Sequence, residues 1–160
     1  MIFGMDTYTF IHVLISLLAI LTGFVVMLGL LTSRRFSGWT ALFLLLTIAT
    51  CLTGFGFPFT KLLPSHIVGI ITLVFSAIAT LALYLRRLAG SWRWIYAAAA
   101  AIALYLNVFV LIVQAFQKVP ALSALAPTGT EQPFKLTQIV VLAVFSLLTL
   151  IGMWRFRPRP

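Results

Sequence analysis

The chain has 160 residues, of which 62% are hydrophobic and only 8% are charged, and its mean hydropathy is +1.16. Soluble globular domains carry about 25% charged residues, so this composition excludes an ordinary soluble domain and indicates a membrane protein. The formal net charge is +9, and Asp6 and Glu131 are the two acidic residues. With only these two carboxylates in the chain, the sequence gives no indication of the paired acids that many hydrolases use.

Charged residues divide the chain into five windows, because a charge near the bilayer centre costs about 2.5–3.5 kcal/mol. A helix needs about 20 apolar residues to cross a hydrocarbon core of about 30 Å, so each window is one span. We predict an all-α, integral membrane bundle of five transmembrane helices forming one domain. The predicted spans are about 8–31, 39–57, 64–85, 94–116 and 135–154.

The basic residues are distributed unequally between the two sides of the predicted bundle. All eight arginines fall on one side, and the three lysines fall on the other side with both acids. The positive-inside rule places the arginines in the cytoplasm, so we predict the N-terminus outside and the C-terminus in the cytoplasm. The basicity then indicates contact with anionic lipid and not with nucleic acid.

Residues 117–133 form the one long external loop of the predicted topology. Its prolines bracket the stretch from Ala121 to Ala126, which is long enough for one or two helical turns. We predict a short helix over the external mouth of the bundle, and the alternative is a plain linker. The remaining connections are short, which makes consecutive helices antiparallel neighbours.

Small and weakly polar residues recur at helical spacing in three of the spans. Lipid gives helices no hydrophobic reason to associate, so close packing of small residues and interhelical hydrogen bonds must hold the bundle. We therefore predict that these stripes face inward. They are His12, Ser16, Ala19 and Gly23 in the first span, His66, Gly69, Thr72, Ser76 and Thr80 in the third, and Ala97, Ala100, Asn107 and Gln114 in the fourth.

The two histidines, His12 and His66, lie near the external ends of the first and third spans. These spans run in the same direction, so both rings are predicted at one depth and facing a common interior. Ionisable residues inside membrane spans indicate functional sites. Gln114 and Gln138 fall at a similar depth, and Asn107 lies about two turns deeper. The alternative is that the histidines make only structural hydrogen bonds or interfacial contacts.

Three ligands fit a site of this kind. Haem b can be held between two axial imidazoles, which suggests electron transfer. Copper or another metal ion needs more than two imidazoles, and Gln138 or Glu131 would have to contribute. A quinone head group can accept hydrogen bonds from His with Gln or Tyr in an apolar slot. Because Cys51 is the one cysteine, an internal disulfide and a Cys-x-x-Cys redox or zinc site are excluded, and we expect a buried, inert thiol.

The competing hypothesis is a non-catalytic accessory or assembly subunit. In that case the polar external mouth and the 117–133 loop dock onto a larger membrane complex or onto a second copy of the chain. Transport is disfavoured, because the spans carry no carboxylates and show no repeated halves. Neither hypothesis assigns a catalytic residue.

Several segments resemble a group of small multi-pass inner-membrane proteins of bacteria. They are the stretch from Asn107 to Leu122 with Leu125–Thr128, Glu131–Phe134 and Gln138, the segment Gly-Phe-Gly-Phe-Pro-Phe from Gly54, and the segment Leu-Pro-Ser-His-Ile-Val-Gly-Ile from Leu63. The resemblance extends over nearly the whole chain. It implies a location in the bacterial inner membrane, but it implies no activity and no catalytic residue.

Overall fold

The computed structural model describes residues 6–57 and 64–157, and the described part of the chain is helical with short connections. Five of its helices are long and apolar enough to cross a membrane, which confirms the predicted number of spans. The long helices are α1 (Thr7–Thr32), α2 (Ser37–Phe55), α3 (Pro64–Thr80, continued by a π-helical turn at Leu81–Leu85), α4 (Trp92–Lys118) and α6 (Gln132–Arg155). The short α5 spans Pro120–Leu125.

Some helices continue past the charges that bounded the predicted spans. Helix α4 includes Arg93 and ends at Lys118, while α6 includes Lys135 and ends at Arg155. Long basic side chains reach from an apolar position to the aqueous interface, so their backbone can stay helical inside it. Charge therefore locates a span but does not fix its last turn.

Helices α1 to α4 form a closed ring in which each helix packs against the next and α4 packs back against α1. Helices α1 and α3 are diagonal in this ring, as are α2 and α4. Helix α6 lies outside the ring, in the groove between α1 and α4. The ring thus uses the first four spans, and the fifth is added to one side of it.

The core of the ring is built on alanines of α4. Five of them, Ala97, Ala99, Ala100, Ala101 and Ala103, are 0–2% exposed. Small side chains let neighbouring backbones approach closely, which is the main source of helix association in lipid. The predicted inward stripe of α4 is confirmed as far as Asn107, but Gln114 at its end is exposed.

The two ends of the bundle differ in chemistry. We call one the histidine end, where α1, α3 and α6 begin and α2 and α4 end, and the opposite one the arginine end. An aromatic pair joins neighbouring elements at each end. The ring centroids of Phe116 and Phe134 are 5.4 Å apart at the histidine end, and those of Tyr96 and Phe156 are 5.5 Å apart at the arginine end. Each end is therefore a packed surface.

Asp6 begins α1 at the histidine end. Its carboxylate accepts hydrogen bonds from the hydroxyl of Thr9 at 2.7 Å and from the Thr9 N–H at 2.9 Å. Such capping satisfies a backbone donor that the first helical turn leaves unpaired. The same bonds, led by that of the hydroxyl, hold the pKa of Asp6 below its ordinary value.

The short helix predicted in the long loop is present as α5, with Pro120 as its first residue. Its packing partner is α4, the helix that precedes it. None of its residues is buried, and Leu125 is 56% exposed. Helix α5 packs against α4, and its placement over the external mouth of the bundle stays a prediction.

Candidate functional site

His12 lies in the second turn of α1, half-buried against the end of α2. Its Nδ1 is 2.8 Å from the hydroxyl oxygen of Thr53. That hydroxyl also lies 2.7 Å from the carbonyl oxygen of Ala49 and 3.2 Å from that of Thr50, both of which can only accept a hydrogen. With its one hydrogen donated within α2, the hydroxyl accepts from His12. We therefore assign the imidazole proton to Nδ1, which leaves the lone pair on Nε2.

Tyr8 makes a second bond to the same residue of α2. Its hydroxyl donates to the carbonyl oxygen of Thr53 at 2.6 Å, close to where α2 ends. Phe57 packs edge-on against both α1 rings, with centroid distances of 5.0 Å to Tyr8 and 5.1 Å to His12. A side chain at Gly56 would collide with the Tyr8 hydroxyl. The last turn of α2 is thus fastened to α1 at two points.

His66 reaches the same turn from the other side of α2. It lies in the first turn of α3, is 6% exposed, and stacks on Phe55 with centroids 5.9 Å apart and an interplanar angle of 15°. Gly69, one turn further along α3, makes room for this phenyl ring, because a Cβ there would lie 3.3 Å from Phe55. The stacked pair is packed closely between α2 and α3.

The structure therefore brings both histidines to one end of the bundle and against one turn of α2. His12 contacts Thr53 and Phe57, and His66 stacks on Phe55. Among the residues described, no group of three or more His, Cys, Asp or Glu side chains is placed to hold a metal ion. The pair supplies two imidazoles and no third ligand of those types.

Asn107 and Gln138 are engaged elsewhere. Asn107 is 9% exposed and donates from Nδ2 to the hydroxyl of Thr47 at 3.1 Å, which ties α4 to α2 across the ring. Gln138 donates from Nε2 to the carbonyl oxygen of Phe109 at 3.3 Å, and its buried Oε1 has no partner. These side chains hold helices together, which is the common role of amides in membrane bundles.

The carboxylate of Glu131 accepts hydrogen bonds from residues of its own loop. Its carboxylate accepts from the Thr128 N–H and hydroxyl at 3.0 and 2.9 Å, and from the Thr130 N–H at 3.0 Å. Desolvation raises the pKa of Glu131, but these hydrogen bonds outweigh it and hold the pKa below its ordinary value. A carboxylate used in this way closes the turn before α6, so it is poorly placed to complete a metal site.

The polar pattern of the sequence assigned α2 no part in the site. Thr53 of α2 nevertheless lies 2.8 Å from His12 Nδ1 and is a hydrogen-bond partner of that ring. The signal was present in the topology: a short turn between antiparallel helices brings the start of α1 beside the end of α2. Cys51 is buried and free, as predicted.

Comparison of the chain with protein-family models, with curated proteins and with solved structures found no match.

Proposed function

We propose that this is a multi-pass protein of the bacterial inner membrane whose histidine end faces the periplasm. The support is the charge distribution, because the arginine end carries Arg34, Arg35, Arg86, Arg87, Arg93, Arg155 and Arg157 and the histidine end carries both acids. The segments that resemble bacterial inner-membrane proteins support the same location.

We further propose that His12 and His66 form a periplasm-facing site for haem b or a metal ion, used in electron transfer. The carrying observation is the hydrogen bond from His12 Nδ1 to Thr53, 2.8 Å long. Histidines that bind metals almost always donate their second ring N–H to a fixed acceptor, which orients the ring and leaves Nε2 for the metal. His12 has this arrangement.

The ligand types that the described residues offer favour haem over a bare ion, because His12 and His66 can supply two axial imidazoles. A porphyrin also brings four nitrogen ligands, whereas a bare ion would need more protein ligands than the described residues offer. Phe55 and Phe57 provide apolar surface beside the rings. A quinone remains the third ligand class, and with the assigned tautomer His12 Nε2 would accept from a quinol hydroxyl.

The test is an absorption spectrum of the purified protein, oxidised and reduced, with elemental analysis for iron and copper. We expect a Soret band or stoichiometric metal that is lost in His12→Ala and in His66→Ala. Thr53→Val should weaken binding about 10- to 100-fold, as the loss of an orienting partner does at metal sites. The exposed Gln114→Ala is the control and should bind as the wild type does. A wild-type protein with neither signal, even after incubation with haemin or Cu²⁺, would refute the proposal.

The orientation has its own test. In a Cys51→Ser background, single cysteines at the exposed positions Thr128 and Ala89 report on the two ends of the bundle. A maleimide that cannot cross the membrane should label Thr128→Cys in intact spheroplasts and should label Ala89→Cys only after lysis. The reverse pattern would place the histidines in the cytoplasm.

The second candidate function is an accessory or assembly subunit. One observation favours it: only 17% of the apolar window of α6 is buried. Leu136, Ile139, Leu147 and Leu150 on this helix are 59–65% exposed, which leaves an apolar surface for another membrane helix. This function predicts that a larger partner copurifies in mild detergent, that Ile139→Trp with Leu147→Trp releases it, and that His12→Ala does not.

A further inference from the structure

No Asp or Glu side chain belongs to the arginine end. Both acidic residues of the chain, Asp6 and Glu131, belong to the opposite end. Arg34, Arg35, Arg155 and Arg157 are exposed there. A guanidinium group binds phosphate with a fork of donors, so exposed arginines without acidic partners are suited to anionic phosphate groups.

Two of the basic segments are joined into one surface. The backbone N–H of Arg157 donates to the hydroxyl of Ser33 at 2.8 Å, which connects the end of α6 to the turn between α1 and α2. One turn inside, Gly152 packs on Leu30, where a Cβ would lie 3.3 Å from the leucine Cβ. This close approach of α6 to α1 brings Arg155 and Arg157 to the turn that carries Arg34 and Arg35. We call these four residues the arginine cluster.

An apolar groove of about 490 Å³ lies between α1 and α2. Its α1 wall includes Leu18, Leu21 and Val25, and its α2 wall consists of Trp39, Leu42 and Leu46. The hydroxyl of Thr22, also in the wall, is satisfied within α1 by the carbonyl oxygens of Leu18 and Ala19. The groove therefore presents an apolar surface to its occupant.

The groove adjoins the part of the arginine cluster that lies in the turn between α1 and α2. Trp39 stands at the end of the groove nearest the arginine end, four residues after Arg35. Trp side chains lie at the boundary between lipid tails and head groups. A ligand with an apolar chain and a phosphate, placed across this boundary, would have its chain in the groove and its phosphate near the arginines.

We infer that the α1–α2 groove and the arginine cluster together bind one anionic phospholipid, its acyl chain in the groove and its phosphate on the arginines. Charge complementarity selects this occupant. The phosphate of a zwitterionic lipid can also meet the arginines, but its own ammonium group cancels that charge, so only an anionic lipid neutralises the cluster. The inference does not depend on the function of the histidines. It also differs from diffuse attraction to a negative membrane surface, because it requires the groove.

The test measures which lipids the detergent-purified protein retains, using native mass spectrometry with equal amounts of phosphatidylglycerol and phosphatidylcholine. Wild-type protein should retain phosphatidylglycerol preferentially. Since each arginine near an anionic head group is worth about fivefold in binding, Arg34→Gln with Arg35→Gln, and Arg155→Gln with Arg157→Gln, should each reduce retention tenfold or more. The control is Arg86→Gln with Arg87→Gln, which removes the same charge at the same end and should change retention little.

A second pair of variants tests the groove. Leu21→Trp fills it and should reduce phosphatidylglycerol retention, whereas Leu147→Trp on the exposed face of α6 should not. Inorganic phosphate at millimolar concentration should neither displace the lipid nor raise the unfolding temperature. Any of four results would overturn the inference. Two concern the lipid and the arginines: the wild type retains both lipids equally, or the Arg86 and Arg87 control loses as much lipid as the cluster variants. The others are that the two tryptophan variants have equal effects, or that phosphate fully replaces the lipid. The wild-type comparison decides the matter if a cluster variant does not fold.

Discussion

Replacing Gly23 with leucine is expected to destabilise the bundle by about 3 kcal/mol or more, because the site has no room for a side chain. A Cβ at Gly23 would lie 2.5 Å from Leu104 Cδ1 and 2.8 Å from Phe43 Cε2. Both neighbours are themselves fixed, at 1% and 0% exposure. Three helices meet here, so α1 can make space only by separating from α2 and α4. The measurement is the fraction folded against the mole fraction of SDS, followed by circular dichroism.

Gly38→Leu is the matched control for this substitution. A Cβ at Gly38 meets nothing within 4 Å, and the residue lies in the first turn of α2. Leucine is favoured over glycine in a helix by about 0.8 kcal/mol, so this variant should be as stable as the wild type or slightly more stable. If the two leucines had equal effects, the close packing of α1, α2 and α4 around Gly23 would be refuted.

Phe43→Ala is expected to cost about 3 kcal/mol, the lower end of the range for such truncations in soluble cores. The ring is 0% exposed and fills the space between α2, α1 and α4. Lipid tails are as apolar as the protein interior, so the variant loses packing contacts and gains a cavity but loses little transfer free energy. The loss of stability in lipid is therefore expected at the lower end of the range measured in water.

Leu45→Ala, two residues away on the same helix, is the control. Leu45 is 64% exposed and faces lipid, which can refill the volume that alanine leaves. The expected change in the free energy of unfolding is below about 0.5 kcal/mol, measured in the same SDS titration. Similar losses at positions 43 and 45 would show that α2 does not present Phe43 to the ring interior.

The number of spans was predictable because it rests on a large energy, the cost of burying charge in a membrane. The antiparallel order of the helices was predictable too, since the turns are short. The packing of particular side chains rests on much smaller differences. Gln114 continues the inward stripe of α4 in sequence, but its side chain is exposed, whereas Phe116 two residues later is buried. The spacing of polar residues does not report which positions near a helix end a neighbouring helix covers.

The candidate site shows the same limit in detail. The common depth of His12 and His66 follows from counting residues along antiparallel helices. Their contacts depend on the orientation of α1 and α3 about their own axes relative to α2. A hydropathy pattern does not determine this orientation closely enough to name the contacting residues. The bond to Thr53 and the stack on Phe55 are consequences of that orientation. Sequence reasoning therefore found the rings but not the residues that orient them.

The position of α6 outside the ring has a consequence for biosynthesis. Residues up to 118 make the ring, so it can close before α6 enters the membrane. Residues 119–155 take about 2–7 s to translate at about 5–20 residues per second, whereas helices in contact rearrange within microseconds to milliseconds. Helix α6 then adds to a finished surface, and its late arrival brings Arg155 and Arg157 to a turn that is already folded.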